Sequence, residues 1–197
     1  MKRIEAIQVI MAGVRDALCV HATGMISREA FASADSPESF YMIGSMGLNS
    51  AIGVGLALTL PNRTIAVLDG DGSLLMNLGI LATVGALGLP NFAHFVLDNA
   101  SYGSTGGQPT ISDAVPLERI AAAAGYKYTS RVKAVDDLRL ELIQLAKRPK
   151  PLLVLAEVAR GNEAEIGRIN IPPPEIADRF RGAALQPPRP SNLNRVE

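Results

Sequence analysis

Along this chain, short β-branched apolar runs alternate with longer apolar stretches at helical spacing, and polar or glycine-containing breaks separate them. Residues 2–16 predict a helix with Ile4, Ile7, Val9-Ile10 and Val14 turned inward. Leu18–Ala22 reads as a first strand ending at Thr23-Gly24, and Ser27-Arg28-Glu29 opens a short helix. Phe40–Ile43 reads as a second strand feeding the turn Gly44–Gly47. Leu48–Leu60 follows as an apolar helix whose small residues permit close packing and which Pro61-Asn62 stops. The centre of the pattern is Ile65–Leu68, then the charge-free segment Leu74–Leu89 stopped by Pro90, then Phe92–Leu97. A strand, a helix of about four turns and another strand make a βαβ unit, whose right-handed crossover leaves the two strands parallel and adjacent. Leu117–Gly125 and Asp136–Lys147 read as further helices, with Lys127–Val132 and Leu152–Val158 as further strands. This alternation predicts an α/β three-layer sandwich with a mainly parallel sheet.

The pattern changes after residue 160. Pro172-Pro173-Pro174 and then Pro187, Pro188 and Pro190 predict a stiff, extended arm over 161–197, with one helical turn, that reaches over a neighbouring subunit or is in part disordered. Residues 1–160 form the domain, and no internal repeat or second domain is evident.

Composition narrows the classes. Of 197 residues 48% are apolar and 19% charged, with charges cancelling to zero, so there is no basic face for nucleic acid and no polybasic membrane signal. So little charge points to surface buried against other subunits, in a homo- or hetero-oligomer. Cys19 is the single cysteine, which suits a reducing cytosol. Met1-Lys2-Arg3 before apolar residues mimics a leader, but Glu5, Gln8, Arg15 and Asp16 punctuate it. The stretch 72–97 is long enough to span a membrane, yet Asn77, Pro90-Asn91 and His94 break it. The expected location is cytoplasmic.

The loops of the central unit carry the chemistry. Both emerge at the carboxyl end of the sheet, where open α/β sheets bind ligands. Gly70 and Gly72 flank Asp71, and Ser73 stands at a helix start that suits a phosphate. Asp71 would repel a phosphate unless a cation lay between them. With parallel strands about 4.8 Å apart, Asn99 can face Asp71 across the gap. A carboxylate, an amide oxygen and a loop carbonyl are hard ligands for Mg²⁺ or Ca²⁺, which also grips phosphate oxygens. A metal–diphosphate site is predicted. A dinucleotide fingerprint would need glycine where Leu75 stands, and no Gly-Lys-Ser/Thr triplet occurs for a Walker loop. An ordinary Asp-Gly turn capping a helix would explain Ser73 equally well.

Gly70-Asp71-Gly72-Ser73, with Asn99 28 positions after Asp71, resembles the cofactor-binding motif of thiamine diphosphate-dependent decarboxylases. More narrowly, FYMIGSMGLNSAIGVGLAL, IAVLDGDGSLLMNLG and LDNASYGSTGGQPT resemble the beta subunits of sulfopyruvate decarboxylases and the related phosphonopyruvate decarboxylases. The likeness runs over roughly residues 17–180. Asp98 departs from the wider family, many of whose members carry asparagine there.

The resemblance implies the thiamine diphosphate-binding (diphosphate-domain) fold, with thiamine diphosphate and Mg²⁺ as cofactors. Asp71, the Asn99 side chain and the Ser101 carbonyl would hold the metal. Ser73 would touch the diphosphate, with Thr23, Gly70, Gly72, Tyr102, Gly103 and Ser104 around it. Gly44, Ser45 and Met46 match the segment that holds the cofactor bent, Met46 as a wedge and the Gly44 carbonyl as an acceptor. In the family a glutamate of a second, pyrimidine-binding domain activates the cofactor. No catalytic residue of this kind is assignable in this chain, so an alpha-type partner subunit is implied. The implied reaction is non-oxidative decarboxylation of a short 2-oxo acid, sulfopyruvate to sulfoacetaldehyde and CO2. Ser104, Thr105 and Arg28 are candidates for holding the sulfonate. Alternatives are a phosphonopyruvate or other 2-oxo acid lyase subunit, a non-catalytic subunit that only binds the cofactor, and, more distantly, another nucleotide-binding domain. His21 is weighed as a buried strand histidine against a site residue, in favour of the former.

Overall fold

The computed structural model describes residues 1–187. In chain order the elements are α1 (Arg3–Gly13), β1 (Leu18–His21), α2 (Met25–Ala34), β2 (Ser39–Tyr41), α3 (Asn49–Thr59), β3 (Ile65–Gly70), α4 (Asp71–Met76), α5 (Ile80–Leu87) and β4 (Phe92–Asp98). There follow β5 (Ser101–Tyr102), β6 (Gln108–Pro109), α6 (Leu117–Ala123), β7 (Tyr128–Val132), α7 (Val135–Gln144), β8 (Leu152–Glu157) and α8 (Pro173–Ala184). Six strands form one sheet in the order β2-β1-β3-β4-β8-β7, and every pair is parallel.

The central strands are continuous apolar runs because both of their faces are covered. On one face Ile7 and Ile10 of α1, Ala30 of α2 and Leu138 of α7 pack against Ala66, Leu68 and Phe95. On the other, Val54 of α3, Val84 of α5 and Leu117 of α6 pack against Val67, Val96 and Leu155. This is a three-layer α/β sandwich. β3 and β4 run in register from Ile65↔Phe92 to Gly70↔Leu97, so the residues just beyond, Asp71 and Asp98-Asn99, come side by side at the carboxyl end.

Three expectations need correction. The single helix over Leu74–Leu89 is two: α4 already begins at Asp71, and the chain leaves the helix at Asn77 (φ −138°, ψ 47°) before α5. The cause is local, because the Asn77 amide donates to the Gly47 carbonyl at 2.9 Å instead of continuing the helix. Beyond Asn99 the chain turns back in a small hairpin, with β5 and β6 antiparallel. The extended arm is irregular only over 161–172; α8 then covers the β2 edge. Prolines at the first turn of α8 favour rather than break it. Ile176, Phe180 and Ala183 then bury its inner face, with the Phe40 and Phe180 rings 5.5 Å apart. Pro188 and Pro190, also read as part of the arm, lie outside the described residues. On α1, Arg3 rather than only apolar residues turns inward, because Glu29 receives it.

Candidate functional site

Beyond the carboxyl ends of β1, β3 and β4 lies a cleft, and the structure brings eleven of the thirteen residues singled out above to its walls. Thr23 comes from the end of β1, and Met46 from the turn after β2. Gly70, Asp71, Gly72 and Ser73 come from the β3–α4 junction. Asn99, Ser101, Tyr102, Gly103 and Ser104 come from the turn after β4 and the hairpin. Gly44 and Ser45 do not reach it. They are exposed and line a separate apolar groove with Ile43, Leu48, Pro173 and Ile176.

Asp71 is the buried carboxylate of the cleft's lining, 2% exposed. Its carboxylate accepts hydrogen bonds from the hydroxyls of Thr110 and Ser112, and no cationic side chain among the described residues pairs with it. Burial, aided by the neighbouring Asp98 charge, pushes the Asp71 carboxyl up against the opposing hydrogen bond from Thr110. Asp98 accepts from Ser112 Oγ at 2.8 Å and from the Ala100 N–H at 3.0 Å. Thr110 and Ser112 therefore form the floor under two adjacent carboxylates. Neither was evident in the sequence, because they are reached only when the hairpin returns its end to β4.

The turn after β4 is tightly specified. The Asn99 side-chain oxygen accepts from the Ser101 N–H at 3.1 Å, and Ala100 adopts a left-handed conformation (φ 50°). Ser45 (φ 57°) is likewise left-handed. Such conformations in non-glycine residues concentrate at functional loops. Gly72 has a steric reason to be glycine: a Cβ there would lie 2.5 Å from Tyr102 Cε1, so the ring packs directly on its backbone. The Ser73 hydroxyl donates to Asn49 Oδ1 at 3.1 Å and accepts from the Gly47 N–H at 3.2 Å, tying the turn after β2 to α4. Asn49 Nδ2, fully buried, has no partner among the described residues.

Two buried polar arrangements support the cleft. Asp69, fully buried, accepts from Ser50 Oγ at 2.9 Å, from the Gly70 N–H at 2.9 Å and from His94 Nε2 at 3.2 Å, while His94 Nδ1 meets the Tyr126 hydroxyl at 3.2 Å. Burial would push the Asp69 carboxyl up, but the hydrogen bonds it accepts, from His94 above all and from Ser50, hold it below its ordinary range. At the other wall Arg3, 7% exposed, binds both carboxylate oxygens of Glu29 and donates to Asn162 Oδ1 at 3.0 Å. The Asn162 amide donates in turn to the Gly103 carbonyl. A lone cation on an inward position of α1 is a signal that helical spacing could have flagged. His21 is a core residue: it is fully buried, stacks on Tyr41 at 4.9 Å, meets Ser39 Oγ at 3.1 Å, and burial pushes it down to about 3.

Among the described residues no three His, Cys, Asp or Glu side chains converge as a metal cage. A cation here would be held by Asp71 with amide and carbonyl oxygens and by the oxygens of its own ligand. That donor set is hard and suits a divalent ion bridging to phosphate. A cation would also neutralise a buried carboxylate that only hydroxyls and backbone now support. The residues present thus fit a metal–diphosphate ligand. No helix among the described residues is long and apolar enough to cross a membrane.

The family described as thiamine pyrophosphate enzyme, C-terminal TPP binding domain, matches residues 22–156. A phosphonopyruvate decarboxylase of Streptomyces viridochromogenes is 43% identical over 187 residues, which cover 94% of this chain and 47% of that protein. The sulfopyruvate decarboxylase subunit beta of Methanothermobacter thermautotrophicus is 41% identical over 180 residues, covering 91% of this chain and 94% of that subunit. The chain thus spans about half the length of the phosphonopyruvate decarboxylase and nearly all of the beta subunit. In fold it is similar to a thiamine diphosphate-dependent 4-hydroxybenzoylformate decarboxylase of Rhodococcus jostii, with a TM-score of 0.66 over 83% of this chain and 33% of that one, at 20% identity.

Proposed function

This chain belongs to the thiamine pyrophosphate enzymes, whose C-terminal TPP-binding domain it carries, and from that premise we propose that it is the diphosphate-binding subunit of a split, cytoplasmic 2-oxo acid decarboxylase. The favoured substrate is sulfopyruvate, giving sulfoacetaldehyde and CO2. The observation that carries the reading is the buried Asp71 carboxylate, set beside Asp98 and Asn99 at the mouth of a glycine-lined cleft. Asp71, Asn99 and the Ser101 carbonyl would hold Mg²⁺. Thr23, Gly70, Gly72, Ser73 and Tyr102–Ser104 would surround the diphosphate, and Met46 would support the rings. When bound, thiamine diphosphate supplies the electron sink that decarboxylation of a 2-oxo acid needs. This chain's part is to neutralise and orient the cofactor's charged end and to keep the cleft's apolar wall, Ile26 and Leu97, against it.

Two observations favour a partner that completes the site. Glu29, which reaches the cleft wall only through Arg3, is 1% exposed and locked to that arginine, so it is not free to activate a cofactor. Ile43, Leu48 and Met76, beside the cleft, are large apolar side chains left exposed, as an unfilled interface would leave them. The relatives that match over nearly their whole length are named as beta subunits. Phosphonopyruvate is the second substrate, favoured by the 43% identity to a phosphonopyruvate decarboxylase.

The test is CO2 release from sulfopyruvate, phosphonopyruvate and pyruvate with Mg²⁺ and thiamine diphosphate, by this chain alone and co-expressed with a pyrimidine-domain subunit. Turnover of sulfopyruvate in the pair alone is the expected result. Turnover by the isolated chain overturns the split site. No turnover of any 2-oxo acid while the cofactor still binds overturns the decarboxylase reading.

A further inference from the structure

Next to the cofactor cleft, and sharing Thr23 and Ser104 with it, lies a second cavity between the start of α2, the end of β2 and the segment leading into α8. Its polar lining is Thr23, Ser27, Arg28, Ser104, Arg168 and Asn170, and no carboxylate lines it. Several other arginines of this electrically balanced chain are engaged: Arg3 with Glu29, Arg131 with Glu118 and Glu157, Arg179 with Asp35. Arg28 and Arg168 have no ion pair or side-chain hydrogen bond with any described residue. Two free guanidinium forks therefore share one concave, uncompensated site whose rim is the rim of the cleft. Thr105, weighed earlier for the same task, is not part of it; its hydroxyl is bound within the hairpin to Gln108 and the Tyr102 carbonyl.

We infer that Arg28 and Arg168, with Ser104, form the subsite for a tetrahedral oxyanion, the sulfonate or phosphonate at the far end of a 2-oxo acid whose keto carbon lies in the cleft. Guanidinium forks match such head groups bidentately, and pairing to a charged acceptor is among the stronger hydrogen-bonding contacts available. The subsite makes the second acid group the basis of substrate choice, so that pyruvate, which lacks it, is a poor substrate. This inference rests on the decarboxylase reading for its substrate but not for its binding site.

The test has two arms. In the complex with the pyrimidine-domain subunit, Arg28→Ala and Arg168→Ala each raise KM for sulfopyruvate or phosphonopyruvate by about 10–100-fold, while KM for pyruvate stays within about threefold. Arg15→Ala, exposed and distant, serves as the control with no change. Equal effects on all substrates, or loss of the partner from the variant complexes, would overturn the subsite, the latter assigning the arginines to subunit docking. The second arm labels the cofactor-free chain with phenylglyoxal and reads each arginine by mass spectrometry. 3-Sulfopropionate or 3-phosphonopropionate should slow labelling of Arg28 and Arg168 but not of Arg15, and the stronger protector identifies the head group. Protection without turnover of any 2-oxo acid keeps the subsite and removes the decarboxylase. Turnover of sulfopyruvate with neither protection nor a KM effect removes the subsite alone.

Discussion

Replacing His94 by leucine tests the buried network under the cleft. The ring of His94 lies between the Asp69 carboxylate and the Tyr126 hydroxyl, all deep in the sheet's core. With the ring proton on Nε2, His94 donates to Asp69 and accepts from Tyr126, and every atom is satisfied. Leucine keeps much of the volume but removes a hydrogen bond to a charged group, a loss of about 1.5–3 kcal/mol. It also strands the Tyr126 hydroxyl, at a further cost of about 1–3 kcal/mol. The Ser50 and Gly70 contacts to Asp69 survive. Together these come to about 2.5–6 kcal/mol. Urea unfolding at fixed protein concentration reads it as a shift in midpoint. His94→Leu with Tyr126→Phe should recover the part due to the stranded hydroxyl. A single variant within about 1 kcal/mol of the parent, or a double variant no better than the single, would refute the reasoning. The pH dependence has a definite sign. Asp69 is held below its ordinary value of 3.8 in the folded chain, so its contribution is present above that value and lost as pH falls through the lower folded one. Without His94, burial is less opposed and the acid-side loss should move to higher pH. Because Asp69 also accepts from the Gly70 N–H, the variant should bind thiamine diphosphate more weakly as well.

Other perturbations address the cleft and the edge of the fold. Asp71→Ala should abolish Mg²⁺-dependent binding of thiamine diphosphate in calorimetry, and unaltered affinity would mean the metal has been misplaced. Gly72→Ala sets a Cβ 2.5 Å from the Tyr102 ring and should cost about 1–3 kcal/mol while displacing Tyr102; a wild-type melting temperature and cofactor affinity would show that the ring yields freely. Phe180→Ala, at the contact with Phe40, should cost about 3–5 kcal/mol in urea unfolding. A loss under about 1 kcal/mol would remove α8 from the cooperative fold.

How much could be read from the chain follows from where its information is local. The strands were legible because parallel central strands must be apolar throughout, and Ile65–Leu68 and Phe92–Leu97 satisfy that with turn residues at both ends. The pairing of the Asp71 and Asn99 loops followed from the handedness of a single crossover. The break at Asn77 did not, because it depends on a carbonyl 30 residues away, that of Gly47. Thr110 and Ser112 reach Asp71 from about 40 positions downstream, through a hairpin whose two-residue strands carry no periodic signal. Arg28 and Arg168 line one cavity only because the irregular segment before α8 returns to the site, and a chain read as an extended arm could not place them together.

The low charge of the middle of the chain has a structural counterpart at the site. From residue 39 to 97 the charged residues are Arg63, Asp69 and Asp71, and all three are buried. Arg63 spends its guanidinium on the Ala183 and Gln186 carbonyls beside α8, and the two aspartates serve the cleft and the network below it. The outward surfaces of α3, α4 and α5 are therefore uncharged, and they expose Leu48, Leu58, Met76 and Leu87. This explains why Leu74–Leu89 reads as one uniformly apolar helix: with apolar residues on the sheet side and on the open side, no polar stripe marks the break. It also connects the fold to the proposed assembly. An apolar face without charge is costly to leave in water, and it adjoins a cleft at whose wall Glu29 is locked to Arg3. A subunit seated on that face would bury the apolar residues and bring its own carboxylate to the cleft at the same time, so the two incomplete features have one remedy.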